Sequence, residues 1–203
     1  MKLENFMKAE KYHFDLVVIG AGIIGIAVSL AHAKKGLKVL LIERNPSFGQ
    51  GISSRNSEVI HAGLYYPPNS LKAKFCRSGR DLLYRYCKDK MIPHKKIGKL
   101  IVQTDPNQQD KLQEIYNNGL VNGCSELCLI DKKELQKLEP EITGINAIWS
   151  PMTGIVDSHA FMNAMLADLQ QEDTIVVFNQ QIERVYPTDI GMECLIKNST
   201  IIK

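Results

Sequence analysis

Phe14-Asp15-Leu16-Val17-Val18-Ile19-Gly20-Ala21-Gly22-Ile23-Ile24-Gly25 is the stretch of this 203-residue chain that decides its fold. The first six residues form a short, mostly apolar run with β-branched character that ends directly on a glycine. From Ile23 to Lys35 the pattern reads as a helix, closed by Gly36 just past its end. Lys38-Val39-Leu40-Leu41-Ile42 reads as a second buried strand, with Glu43 at its carboxyl end. Strand, G-x-G-x-x-G turn, helix, strand and acid together make the βαβ fingerprint of dinucleotide binding. Gly20 permits the tight turn, Gly22 lets a pyrophosphate approach the backbone, and Gly25 lets the helix pack on the strand. Free N–H groups at the positive end of the helix would receive the pyrophosphate. Glu43 would accept hydrogen bonds from ribose hydroxyls and would repel a 2′-phosphate, which argues against NADP; the neighbouring Arg44 softens that argument only slightly.

Bulk composition narrows the class. Hydrophobic residues make up 44% and charged residues 23%, ordinary for a globular chain long enough to bury a core. A net charge of +3, dispersed among mixed lysines and acids, gives no reason to expect nucleic acid. No apolar stretch approaches the ~20 residues a spanning helix needs, although peripheral association with the inner face of a membrane is compatible with the composition. The first 14 residues read as a flexible lead-in rather than a secretory signal. The cysteines (76, 87, 124, 128 and 194) are odd in number and stand in no metal-ligand spacing, so reduced thiols in a cytoplasmic compartment are expected and no metal site.

Further along, Asn45 to Asn69 is polar and rich in glycine and serine, long for a loop without structure of its own. A helix follows with Ser70 or Asn69 as cap, then a strand at Lys99–Gln103. Asp105-Pro106 opens another helix that Gly119 is expected to close. Asp131 to Glu134 reads as a capping box before a short helix stopped by Pro140. Ile145–Trp149 is a strand, and Asp157 or Ser158 caps a helix with Phe161, Met162, Met165, Leu166 and Leu169 on its apolar side. Strands at Thr174–Phe178 and Ile182–Tyr186 precede a hairpin of Met192–Ile196 and Thr200–Ile202. The order β-α-β, mixed insertion, α-β places the third strand parallel in the first sheet. The fold class is therefore α/β, a Rossmann-like, doubly wound domain carrying an inserted α+β domain. Its boundaries read as 15–80 for the βαβ unit and first helices, 81–155 for the insertion, and 156–203 for the return.

Ser53-Ser54-Arg55-Asn56-Ser57-Glu58-Val59-Ile60-His61-Ala62-Gly63-Leu64-Tyr65-Tyr66 carries the second concentration of chemistry. Hydroxyls, an arginine and an asparagine crowded after the strand that delivers Glu43 suit a pyrophosphate or a carboxylate, or simply a capped surface loop. This passage, with Ser70-Leu71-Lys72-Ala73-Lys74-Phe75-Cys76, resembles the flavoproteins of the D-amino-acid oxidase and glycerol-3-phosphate dehydrogenase superfamily, and within it the L-2-hydroxyglutarate dehydrogenases. Gly98–Val102, Leu138–Pro140 and Pro151–Asp157 are similar as well, and the resemblance spans about Asp15 to Lys203.

The resemblance implies FAD as cofactor and oxidation of the C2 alcohol of a small L-2-hydroxy acid, with hydride passing to the flavin. It implies that Gly20, Gly22, Gly25, Glu43 and Arg44 hold the dinucleotide end, and that Ser53, Ser54, Arg55 and Asn56 line the pyrophosphate and ribityl stretch. The backbone of Ile182 would meet the adenine. His61 becomes a candidate base, with simple packing beside the flavin as the competing reading. Tyr65, Tyr66 and Lys72 become candidate partners of the substrate carboxylate. Oxygen and a quinone both fit as electron acceptor. In the resembled family roughly another domain's worth of sequence follows the last strand. On that ground both domains are expected to be incomplete here, with little turnover by this piece alone and a separately encoded C-terminal half as a candidate partner. Oxidation of glycerol 3-phosphate or an amino acid, or a non-catalytic dinucleotide-binding remnant, are the alternatives.

Overall fold

A computed structural model of the chain describes residues 12–197 and 200–202. The expected lead-in therefore lies, but for its last residues, outside the described residues. In chain order the elements are β1 (Leu16–Ile19), α1 (Ile23–Ala33), β2 (Val39–Ile42), β3 (Val59–Ile60), α2 (Leu71–Asp89), β4 (His94–Lys95), β5 (Leu100–Gln103) and α3 (Gln109–Val121). There follow β6 (Cys128–Asp131), α4 (Lys132–Leu138), β7 (Asn146–Trp149), β8 (Gly154–Val156), α5 (Ser158–Leu169), β9 (Thr174–Val177), β10 (Ile182–Thr188), β11 (Gly191–Ile196) and β12 (Thr200–Ile202).

Two compact units result, one formed by the chain up to Asn56 and from Ser158 onward, the other by Ser57–Asp157. Helix α2 falls wholly in the second unit, whereas the sequence reading left residues up to 80 with the first. Its attachments explain the placement. The Tyr84 hydroxyl donates to the Met152 carbonyl at 3.0 Å, and the buried Arg80 guanidinium pairs with Glu126 and with Asp81.

In the first unit β1, β2 and β9 form a parallel sheet with β2 in the centre. All residues of β2 are buried, as a central strand covered on both faces requires. Alternation divides them. Val39 and Leu41 face α1 and α5, packing with Ile26, Leu30, Met162 and Leu169. Leu40 and Ile42 face Cys194 and Ile196 of the β10–β11–β12 antiparallel sheet, which covers the face where a doubly wound fold elsewhere carries helices. The parallel third strand and the terminal hairpin lie where the sequence placed them.

The second unit holds two antiparallel sheets, β3–β8–β4 and β5–β7–β6. The short helix α4 is capped as expected, Asp131 accepting from the Glu134 N–H and Glu134 reaching back to the Asp131 N–H. Ser70 rather than Asn69 caps α2, its hydroxyl accepting from the Ala73 N–H at 3.1 Å. One expectation fails. Gly119 does not close α3; the helix runs on to Val121, and Gly123, at φ +81°, makes the turn beyond it. Gly119 is instead a contact residue, since a Cβ there would stand 2.4 Å from Leu127 Cδ1 and 3.2 Å from Leu64 Cβ. The strands β3, β4, β6 and β8, two to four residues each, were not expected from the sequence.

Candidate functional site

The turn from β1 into α1 is built by its glycines in different ways. Gly20 has φ +102°, a left-handed conformation that a side chain would strain. A Cβ on Gly25 would lie 1.9 Å from the Gly20 carbonyl oxygen, so this position admits no side chain while α1 rests on β1. A Cβ on Gly22 would meet Ser53 Oγ at 3.0 Å. Ser53 in fact caps the helix from outside, its hydroxyl accepting from the Ile23 N–H at 3.0 Å.

Glu43 is buried at the end of β2 and oriented by the turn it faces. Its Oε2 accepts from the Ala21 N–H at 2.8 Å, and its Oε1 accepts from the backbone N–H and side-chain Nδ2 of Asn45 at 2.8 and 2.7 Å. Each carboxylate oxygen has two lone pairs. Oε1 is thus fully engaged, and Oε2 keeps capacity for one further donor. The sequence offered a faint sign of Asn45, an asparagine two residues past an acid at a strand end.

Around this turn lies an open cleft of about 360 Å³ that brings together Gly20, Gly22, Glu43, Arg44, Ser53 and Ile182. Gly25 is packed beneath it. Ser54, Arg55 and Asn56 are exposed, and none of them is among the residues lining this cleft. Ser54 bonds to the Gly51 carbonyl, and Asn56 donates to Ser53 O at 2.8 Å and to Ser158 Oγ at 3.2 Å. In this arrangement Asn56 supports the loop that delivers Ser53.

The other named residues belong to the second unit. After β3 the chain turns through Gly63, at φ +100°, with Ala62 and Leu64 buried among Leu112, Cys124, Leu127 and Ile148. The alternate side chains His61 and Tyr65 point outward. Lys72 Nζ lies over the Tyr66 ring at 4.6 Å, and Lys99 Nζ over the Tyr65 ring at the same distance. Burial lowers the His61 pKa below its ordinary value, and the Lys99 and Lys72 cations push it the same way. His61, Tyr65, Tyr66 and Lys99 line one small recess together with Thr153. Lys99 is the member of this group that the sequence did not single out. It enters β5 held by paired backbone bonds with Ser150, after a Gly98 whose missing Cβ makes room for the Trp149 ring.

The model of the FAD dependent oxidoreductase family matches residues 15–194. The chain belongs to that family. Among curated relatives it is 49% identical over 156 residues to the mitochondrial L-2-hydroxyglutarate dehydrogenase of Arabidopsis thaliana, covering 77% of this chain and 32% of that protein. The corresponding proteins of Bos taurus and Homo sapiens are 40% and 39% identical, covering 88% and 85% of this chain. The chain spans about a third to two fifths of the length of these relatives. Their names place them in mitochondria, a location that the reading of the thiols did not anticipate. Among the described residues no helix is long and apolar enough to cross a membrane. Among solved structures, an FAD-bound L-alpha-glycerophosphate oxidase from Mycoplasma pneumoniae superposes with a TM-score of 0.86 at 24% identity, covering 94% of this chain and 52% of that one. Glycine oxidase from Geobacillus kaustophilus gives 0.82 at 18%. These likenesses show a shared fold.

The cofactor of the family is FAD, and the cleft fits its nucleotide end. The N–H groups of Gly22 and Ile24 have no partner among the described residues, at the positive end of α1. The free capacity of Glu43 Oε2 suits a ribose hydroxyl, and the bare Cα of Gly22 leaves the backbone open to phosphate oxygens beside Ser53.

Proposed function

We propose that this chain supplies the FAD-binding turn and the substrate-facing loop of an enzyme that oxidises an L-2-hydroxy acid, with L-2-hydroxyglutarate becoming 2-oxoglutarate. The observation that carries this reading is the His61 imidazole, disposed to be neutral, beside two lysines each seated on a tyrosine ring. A neutral imidazole is a competent base, and neighbouring ammonium groups attract carboxylates. FAD, when bound, supplies the acceptor for the hydride that leaves C2.

The chain's own residues would act in sequence. Lys72 and Lys99 draw in the anionic substrate and orient its carboxylates. Pairing of those carboxylates with the lysines removes part of the field that depresses the His61 pKa, so the base strengthens once substrate is bound. An imidazole nitrogen of His61 then takes the C2 hydroxyl proton as the carbonyl forms, and passes it on to water. The alcohol loses one proton and one hydride in all, which balances its conversion to a ketone.

The test is anaerobic reduction of the FAD-loaded protein, followed as bleaching of the flavin absorbance near neutral pH. L-2-Hydroxyglutarate should bleach it and the D enantiomer should not. Bleaching by glycerol 3-phosphate, or by an amino acid with release of ammonia, and none by L-2-hydroxyglutarate would overturn the assignment.

A further inference from the structure

The loop that presents His61, Tyr65 and Tyr66 is held by an unusual set of partners. Three of its carbonyls are claimed by two asparagines one helical turn apart at the end of α3. Asn118 Nδ2 donates to Leu64 O at 2.6 Å and to Tyr66 O at 3.0 Å. Asn122 Nδ2 donates to Gly63 O at 3.1 Å and to Tyr66 O at 2.8 Å. A primary amide carries two N–H donors, so both side chains use their full donor capacity on this one loop. Because only the nitrogen end can meet a carbonyl oxygen, the orientation of both amides is fixed.

Two thiols complete the pattern. Cys76 of α2 donates to His61 O at 3.5 Å, and the buried Cys124 donates to Ala62 O at 3.2 Å. Burial raises the pKa of both, which keeps them protonated and therefore able to donate. Every carbonyl from His61 to Leu64, and that of Tyr66, thus ends on a side chain of α2, of α3 or of the segment just after it. Gly119 lies between the two asparagines, and its missing side chain lets α3 approach Leu64 closely enough for their bonds to form.

We infer that Asn118, Asn122, Cys76 and Cys124 are positioning residues, a side-chain clamp that fixes the backbone of residues 61–66 so that His61, Tyr65 and Tyr66 are presented in one arrangement. The inference rests on the reading of that loop as the substrate-facing one. A loop of this kind would otherwise be free to vary, since it belongs to no sheet beyond β3. Fixing it from behind, through the main chain, leaves the side chains of His61, Tyr65 and Tyr66 available to substrate. Ala62 and Leu64, pegged into the core, set the same alternation from the apolar side.

Two measurements on the 203-residue chain test the clamp without reference to flavin chemistry. Backbone 15N relaxation should give residues 61–66 order parameters near those of α2 and α3, about 0.85; values below about 0.6 would overturn the clamp whatever any variant does. In Asn122→Ala and Asn118→Ala the His61 ring should titrate closer to the ordinary imidazole value, as its spacing to Lys99 and Lys72 becomes averaged, while the other histidines stay where they are. Asn117→Ala, whose side chain accepts from Gln113 on the same helix, is the control and should move nothing. Folded variants with an unmoved His61 titration would contradict the inference. Neither readout involves hydride transfer, so loss of the clamp would leave the proposed reaction standing, and failure of that reaction would leave the clamp.

Discussion

At Lys99 a single charge links a tyrosine ring and a histidine. Its ammonium lies over Tyr65, and its field, after burial, is the larger of the two that lower the His61 pKa. In Lys99→Met that field is gone, so the folded-state pKa of His61 rises toward its ordinary value near 6.5. A base must be neutral to work, and at a given mildly acidic pH less of it then is. The acid limb of the rate–pH profile of the FAD-loaded protein should therefore move to higher pH, with the His61 Cε1–H resonance titrating in parallel. An unmoved limb and an unmoved resonance would show that the two groups do not interact. The same change should weaken substrate binding, because one of the two cations proposed to meet the carboxylates is lost; it reads as a raised KM.

At the scale of elements, two glycines show how the identity of the opposing atom decides the cost of a side chain. Gly25→Ala would drive a methyl into the Gly20 carbonyl, a backbone atom of the turn that cannot retreat while β1 stays in its sheet. Gly119→Ala meets the tip of the Leu127 side chain, which can rotate, and Leu64 Cβ at the edge of tolerable contact. Overpacking costs typically ~1–3 kcal/mol, while alanine in place of glycine within a helix returns about 1 kcal/mol. Gly25→Ala, with its clash against backbone, should thus destabilise the chain by about 2 kcal/mol, and Gly119→Ala should fall within about 1 kcal/mol of the parent, both read from urea melts. Equal effects would mean that the helix–strand contact is softer than its geometry.

The same scale shows what could be read ahead of the structure. The run from Leu16 to Glu43 was legible because apolar periodicity, punctuating glycines and the terminal acid all agree over consecutive residues. Asp131 and Glu134 announced their helix by chemistry local to one turn. Strands β3, β4 and β8 have only two or three residues each, too few to show any period, and exist because partners elsewhere in the chain complete their ladders. Asn118 and Asn122 reach carbonyls more than 50 residues away, so their helix shows them only as two polar residues on a helical surface. Gly119 was misread for a related reason. A glycine near the end of a helical pattern commonly marks its close, and only the approach of Leu64 and Leu127 reveals a packing role.

For the molecule as a whole, the first unit repeats one arrangement at every level. A βαβ start, a parallel third strand and a covering antiparallel sheet converge on the carboxyl ends of the parallel strands, where Glu43 and the Gly20–Gly22 turn meet. Ligands of open α/β sheets bind at such ends. We propose that this cleft holds FAD through the open turn and the oriented carboxylate of Glu43. Glu43→Gln probes it sharply, because backbone N–H groups donate to both carboxylate oxygens and an amide nitrogen would face a donor in either orientation. The variant no longer offers the ribose a charged acceptor, and a hydrogen bond to a charged group is worth about 1.5–3 kcal/mol, enough for a fivefold or greater change in affinity. The direct measurement is equilibrium titration of the purified chain with FAD, followed by flavin fluorescence, for the parent and for Glu43→Gln. The parent should bind saturably at one FAD per chain, and the variant at least fivefold more weakly. No binding by the parent, or equal affinity in the two, would contradict the proposal.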